Sequence, residues 1–222
     1  MELPQETVLA SLSLTHVQFD SQDNVAYAFA YITLAPLAIL VFYASIIVSR
    51  RELAGIFMLL GQLLNEGLNA ILKEYLKIAR PHGDGYGMPS SHAQFVWYFA
   101  SYGILYLYSN IRLEYDIWKK LAALLMLIMA AVVSYTRIYL GYHTEMQVAV
   151  GATIGILFGM LWYISVERGL RRAGYVEYIL DHPLAKRLYL RDMRCIDNVA
   201  KWEYLQWERT RLQSNGEHIK EK

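Results

Sequence analysis

Five apolar segments, at residues 26–48, 53–75, 93–108, 121–135 and 146–166, constrain what this chain can become more than any other feature. A helix crossing the hydrocarbon core of a bilayer needs about 20 largely apolar residues, and in lipid every backbone polar group must be satisfied within the segment. The third and fourth segments are short by hydropathy, and the Tyr, Trp and Ser-Asn residues beside them extend both into the interface. Composition agrees with a membrane setting: 55% of the 222 residues are hydrophobic and 18% charged, with a mean hydropathy of +0.22. A soluble domain carries more charge and shorter apolar runs. The expected fold is therefore all-α, a polytopic bundle of about five transmembrane helices. It divides into an N-terminal tail (1–25), a membrane domain (26–166) and a charged, aromatic C-terminal tail (167–222).

The N-terminal tail carries Glu2, Glu6, Asp20 and Asp23 but no Lys or Arg before Asn24. It shows no cleavable signal peptide, so the first apolar segment is expected to direct insertion itself. The lone Cys195 excludes an intrachain disulfide and a multi-cysteine metal site, and its thiol is expected to be buried or interfacial rather than reactive.

Charge distribution orients the bundle. With five spans the two tails face opposite sides. Connections on the C-terminal side carry Arg50, Arg51, Arg112, Lys119 and Lys120, followed by Arg168, Arg171 and Arg172. The positive-inside rule then puts the C-terminal tail in the cytosol. An even number of spans would break this assignment. The tail itself has two readings: amphipathic helices on the membrane surface, or a segment partly packed against the bundle. Lys220 and His218 leave a weak retrieval signal open.

On the opposite, non-cytosolic face three polar clusters converge. Lys73 and Arg80-Pro81 close the second segment, where Pro81 and Gly83, Gly85 and Gly87 argue that the helix stops near Arg80. Pro89-Ser90-Ser91-His92 opens the third as a serine-capped helix start, whose free N–H groups and positive dipole end suit an anion. Arg137 and His143 bridge the fourth and fifth. Taken singly, each has a plain reading: a snorkelling basic rim, an ordinary N-cap with an interfacial histidine, a connection with Tyr135, Tyr139 and Tyr142 in an aromatic belt. Within the fifth segment His143, Gln147, Gly151, Gly155 and Gly159 recur every four residues, so a small-residue seam should turn His143 and Gln147 into the bundle. A second stripe, Gln62, Glu66, Asn69 and Lys73, lies on the second segment. For Gln62 and Glu66 an interhelical hydrogen-bond network is expected, while Asn69 lies close enough to the face to shape a headgroup pocket.

In order and spacing, Lys73-x6-Arg80-Pro81, Pro89-Ser90-Ser91-His92 and Arg137-x5-His143 resemble the three-part signature of the type-2 phosphatidic acid phosphatase superfamily. The resemblance covers the membrane region from Leu53 to Val166. The chain departs from that pattern at Ser91, where glycine is usual, at Thr136, where serine is usual, and at Gln147, where aspartate is usual. This combination is similar to the branch acting on dolichyl diphosphate. The resemblance implies an endoplasmic reticulum membrane enzyme that releases the terminal phosphate on the lumenal side and recycles the lipid carrier of N-glycosylation. It implies His143 as nucleophile through a phosphohistidine and His92 as the acid that protonates the leaving group. Lys73, Arg80, Ser90, Ser91 and Arg137 are the expected phosphate ligands, with Gln147 orienting His143 in place of a carboxylate.

No metal or other cofactor is expected, since no carboxylate cluster at the site offers a magnesium cage. The implied partners are the lipid substrate and the membrane, with no nucleic acid. Two rival readings remain at this stage: another lipid phosphatase of the same fold acting on phosphatidate or a shorter polyprenyl diphosphate, and a non-catalytic lipid-binding scaffold. A transporter lacks the internal repeat that would support it.

Overall fold

The computed structural model describes residues 9–12, 17–20, 22–82, 85–113, 115–196 and 198–220. Gly83 of the glycine-rich loop lies outside the described residues, as do the N-terminal acidic residues Glu2 and Glu6. The side chains of Cys195, His218 and Lys220 are also outside them. The bundle is built from α1 (Asn24–Ile32), α2 (Ala35–Arg50), α3 (Leu53–Leu76), α4 (Ser91–Asn110), α5 (Asp116–Tyr139) and α6 (Glu145–Ile164). A short antiparallel hairpin, β1 (Leu9–Leu12) and β2 (Val17–Asp20), precedes α1 and was not foreseen from sequence.

The first apolar segment is one span made of two helices. Asp23 caps α1 by accepting from the N–H groups of Val25 and Ala26. The break falls at Thr33-Leu34 because Pro36, in the first turn of α2, has no N–H to give the preceding turn. Thr33 turns its hydroxyl back to donate to the Ala30 carbonyl at 2.6 Å. Four stretches are long and apolar enough to cross a membrane: Asn24–Arg50, Leu53–Leu76, Asp116–Tyr139 and Glu145–Leu170. The last includes a π-helical extension of α6, Ser165–Leu170.

The remaining expected span, the third in chain order, is α4; it is 20 residues long but falls short in hydropathy. Its position explains why. It is the hub of the bundle, packed against α2, α3, α5 and α6, so its surface meets protein more than lipid. Tyr98, Tyr102, Gln94, Val96 and Ala100 on it are almost fully buried.

The glycine stripe of α6 lets that helix approach α4 at backbone distance. A Cβ on Gly151 would sit 2.6 Å from the Ser90 carbonyl oxygen, and one on Gly155 would sit 2.3 Å from the Gln94 carbonyl oxygen. At Gly159 it would meet the Ser101 hydroxyl at 2.2 Å. Such close backbone approach is how small residues substitute for a hydrophobic driving force between helices in lipid.

Near the other end, the chain after α6 forms α7 (Tyr175–Asp181), α8 (Pro183–Arg187) and α9 (Val199–Lys220). Val166 and Val176 join Leu53 and Phe57 in one buried cluster. Arg191 exchanges backbone hydrogen bonds with Leu53 and Arg51, and Arg171 and Arg194 both pair with Glu167. The first part of the tail is thus docked on the bundle, which favours the packed reading over a purely interfacial one.

Candidate active site

The C-terminal ends of α3 and α5 and the N-terminal ends of α4 and α6 meet at one end of the bundle, and the three polar clusters meet there with them. α3 stops earlier than its sequence suggests. Lys77 adopts a left-handed cap, φ 50°, and donates to the Lys73 carbonyl, so the helix ends at Leu76 rather than near Arg80. Lys73 therefore sits in the last turn of α3 while Arg80 sits in a loop. Its strand-like pairing of Ala79 with Tyr86 and the Gly87 N–H to Ile78 carbonyl bond at 2.7 Å give that loop its shape. The Arg80 Nε donates to the Tyr86 carbonyl at 3.3 Å. His82, not singled out from sequence, ties the same loop to the α5–α6 turn, its Nδ1 lying 3.1 Å from the Gly141 carbonyl oxygen. Gly141 is left-handed, φ 72°, a conformation that glycine adopts without steric cost.

Ser90 takes the N-cap position of α4, as its spacing implied, but its hydroxyl does not cap. The Oγ is buried without a hydrogen-bond partner. The first helical bond runs from the Gln94 N–H to the Ser90 carbonyl. Helix geometry therefore leaves the N–H groups of Ser91, His92 and Ala93 without intrahelical partners. The Ser90 N–H itself is committed, donating to the Gln147 carbonyl at 3.1 Å. Ser91 bridges the first two clusters: Lys73 donates to its hydroxyl, and that hydroxyl donates to the Asn69 side chain at 3.0 Å.

The polar stripe on α3 requires a correction. Gln62 accepts an interhelical hydrogen bond from the Tyr43 hydroxyl of α2 at 3.4 Å, as expected, but its Nε2 and the Glu66 Oε1 are buried without a partner. The interhelical network runs instead through Asn65, Asn69 and Gln94. Gln94 donates to the side-chain and backbone oxygens of Asn65, both at 2.9 Å, and accepts from Asn69 at 2.7 Å. Asn65 and Gln94 were missed in sequence because their partners lie on different helices and no motif includes them.

His143 and Gln147 point inward as the four-residue spacing implied, 4% and 3% exposed. Thr144 and Gln147 form a reciprocal capping box on α6. The Gln147 Nε2 donates to the Ala79 carbonyl at 2.9 Å, and its Oε1 accepts from the Thr144 N–H at 3.3 Å. Both contacts turn the amide oxygen toward His143, whose Nδ1 lies 3.1 Å away. An amide oxygen can only accept, so the proton belongs on Nδ1 and the Nε2 lone pair is free. Gly87 passes directly over this amide, where a Cβ would lie 2.8 Å from both of its polar atoms.

Arg137 is 4% exposed. The His143 N–H donates to the Arg137 carbonyl at 3.1 Å, folding the turn so that both side chains serve one site. The Nε and one terminal nitrogen of the guanidinium are buried without a hydrogen-bond partner. His92, in the first turn of α4, lies in the field of Arg137, His143 and Lys73. Burial lowers the His143 pKa to about 4; the hydrogen bond to Gln147 opposes that shift, while Arg137, Arg80 and Lys73 add to it. The ring is therefore neutral at physiological pH.

The structure thus brings Lys73, Arg80, Ser90, Ser91, His92, Arg137, His143 and Gln147 to one end of the bundle. Three cations, a helix N-terminus and a neutral, oriented imidazole can bind a phosphate group and attack it. Among the described residues, no group of three or more His, Cys, Asp and Glu side chains could hold a metal ion.

The fold and this site define a class, the polytopic membrane proteins with a cluster of cations and histidines at one end of the bundle. The chain belongs to the PAP2 superfamily, which it matches over residues 81–171. It is 35% identical to Dolichyldiphosphatase 1 of Homo sapiens over 206 residues, 87% of this chain and 86% of that protein. Dolichyldiphosphatase 1 of Dictyostelium discoideum is 36% identical over 211 residues, 92% of each chain. Lipid phosphate phosphatase gamma of Arabidopsis thaliana is 34% identical over 211 residues, 91% of this chain and 92% of that one. In fold the chain is similar to a transmembrane PAP2-type phosphatidylglycerolphosphate phosphatase from Bacillus subtilis, with a TM-score of 0.57 and 24% identity, covering 65% of this chain and 77% of that one.

Proposed function

We propose that this protein is a membrane lipid phosphatase that hydrolyses dolichyl diphosphate to dolichyl phosphate and inorganic phosphate. The observation that carries this reading is the pairing of His143 with Gln147, in a cluster of cations that leaves the reactive Nε2 unprotonated. Near-full-length similarity to dolichyldiphosphatases selects the substrate class.

Phosphoryl transfer asks the protein mainly for positioning and for charge on the non-bridging oxygens. Lys73, Arg80 and Arg137 supply the charge, and the free N–H groups at the start of α4 with the Ser90 hydroxyl supply hydrogen bonds. His143 Nε2 attacks the terminal phosphorus, forming an N–P bond. The P–O bond to the bridging oxygen breaks, and dolichyl phosphate leaves with a proton from His92. Water then adds to the phosphohistidine, His92 takes up a proton, and the N–P bond breaks to release inorganic phosphate.

The glutamine suits a diphosphate. An aspartate would orient the imidazole and also stabilise its developing positive charge, whereas an amide does only the first. A phosphate-monoester leaving group is far less basic than an alkoxide, so the weaker nucleophile suffices. The cation distribution supports a site facing the lumen of the endoplasmic reticulum and a cytosolic C-terminal tail. In this reading residues 26–166 form the catalytic membrane domain, with the tails 1–25 and 167–222 on opposite sides.

Phosphate release from dolichyl diphosphate, dolichyl phosphate and phosphatidate by purified protein tests the assignment, with His143→Ala as control. The diphosphate should be the preferred substrate, and His143→Ala should abolish turnover. Hydrolysis of phosphatidate in preference to dolichyl diphosphate would overturn the substrate assignment.

A further inference from the structure

Three tyrosines lie along the last turn of α5 and the following loop, and one behaves unlike the others. Tyr135 and Tyr139 are 54% and 43% exposed, as an aromatic belt requires. Tyr142 instead turns its ring onto Arg137, with the guanidinium carbon 4.3 Å from the ring centroid. Among the described residues no carboxylate holds this arginine, and two of its nitrogens are buried without a partner. The tyrosine is itself held from the far side. Its hydroxyl accepts from the Gln18 N–H on β2 at 2.7 Å and lies 3.4 Å from the Gln18 carbonyl oxygen. Val17 and Phe19 of the same strand belong to a buried cluster against which Leu140 and Tyr142 pack.

We propose that Tyr142 is a positioning residue for phosphate binding, its ring holding Arg137 ready while the N-terminal hairpin holds the ring. This rests on the reading of Arg137 as a phosphate ligand. The chemistry explains why an aromatic face stands here. A carboxylate would fix the guanidinium by occupying the same N–H groups that phosphate needs and by cancelling its charge. A π face attracts the cation without consuming a hydrogen bond. The arginine is thus ordered before substrate arrives and its donors stay open, which lowers the ordering cost of binding.

The test compares wild type, Tyr142→Phe and Tyr142→Leu, full-length and in detergent, by the stabilisation that inorganic phosphate confers against thermal unfolding. This readout needs no turnover. Tyr142→Leu should weaken phosphate binding about tenfold, whereas Tyr142→Phe, which keeps the ring and loses only the hydroxyl, should weaken it about twofold. In turnover the loss should fall mainly on KM, with kcat largely kept. Phosphate affinity unchanged in Tyr142→Leu, or Phe as damaging as Leu, would overturn the role of the ring. Should Tyr142→Leu not fold, Tyr142→Met offers similar length without a π face and reads the same comparison. A wild type that binds phosphate through Tyr142 yet leaves dolichyl diphosphate intact would overturn the substrate assignment and leave this proposal standing.

Discussion

His143 and Gln147 are joined across the N-terminal cap of α6, ring nitrogen to amide oxygen at 3.1 Å. The amide is in turn fixed by the Ala79 carbonyl and the Thr144 N–H. A neutral side chain thereby sets both the tautomer and the direction of the imidazole, and the same side chain closes the helix cap.

Replacing that amide separates orientation from charge. Gln147→Ala should lower kcat on dolichyl diphosphate about 10- to 100-fold, by analogy with the loss of a hydrogen-bond partner that orients a metal-bound imidazole. Gln147→Asp should keep most of the diphosphate activity and raise the ratio of dolichyl phosphate to dolichyl diphosphate turnover. Steady-state kinetics on both lipids decide the matter, and equal activity of Gln147→Ala and wild type would sink the orienting role.

The depressed pKa of His143 predicts where activity fails in acid. A nucleophile must be unprotonated, and burial and the surrounding cations hold this ring near 4. The acid limb of kcat/KM should therefore fall near pH 4, not near the 6.5 of an ordinary histidine. Arg80 is one of the cations that lower it. Arg80→Gln should move that limb upward, toward neutral pH, besides weakening substrate binding. A downward shift in the pH–rate profile would contradict the electrostatic account.

Gly155 tests the seam between α4 and α6. A methyl group there would lie 2.3 Å from the Gln94 carbonyl oxygen, so the helices must part. Gly155→Ala should cost about 1–3 kcal/mol of stability and reduce turnover, because separation of α4 from α6 moves Ser90 away from Gln147. Gly67→Ala, with nothing within 4 Å of the added carbon, is the matched control and should leave the detergent melting temperature unchanged or raised. Equal melting of both variants would rule out the close contact.

The Asn69–Ser91–Lys73 chain makes a graded prediction. Ser91→Gly restores the residue usual in the superfamily and should reduce kcat/KM only a few-fold, since Lys73 keeps its charge. Asn69→Leu removes a buried partner of Gln94, Pro89 and Ser91 at once. Stranding those groups should cost about 1–3 kcal/mol, measurable by thermal unfolding, together with a larger loss of activity. A Ser91→Gly loss greater than that of Asn69→Leu would reverse the order.

Much of the site was legible because its information is local. Gln147 faces inward on the helix face that the glycines at 151, 155 and 159 continue, while His143, one residue ahead of the Thr144 cap, is folded onto that face by the turn from Arg137. The motif spacings placed Lys73, Ser90, His92 and Arg137 at segment ends without reference to any contact. What escaped depends on pairings between distant elements. Gln94 looks like an ordinary polar residue until Asn65 and Asn69 face it across the α3–α4 contact. Tyr142 reads as belt until strand β2 is seen behind it. The early end of α3 was hidden because a left-handed Lys77 has no sequence signal comparable to glycine. The break in the first span, by contrast, is marked by Pro36, and the apolar run masked it.

The helix that opens with Ser91 and His92 is also the one that lipid alone would accept least readily. α4 lies at the hub of the bundle, where Tyr98 donates to the Met58 carbonyl and Gln94 pairs with Asn65 and Asn69 of α3 rather than meeting acyl chains. During synthesis such a segment gains little by partitioning into the bilayer alone, and it becomes favourable only when α3 behind it and α5 and α6 ahead of it shield its polar face. The candidate site is therefore complete only when the helices of the membrane domain have come together. A chain whose α6 has not yet arrived lacks both His143 and the glycine surface that lets α4 settle, so a half-inserted intermediate has no means of attacking the lipids around it.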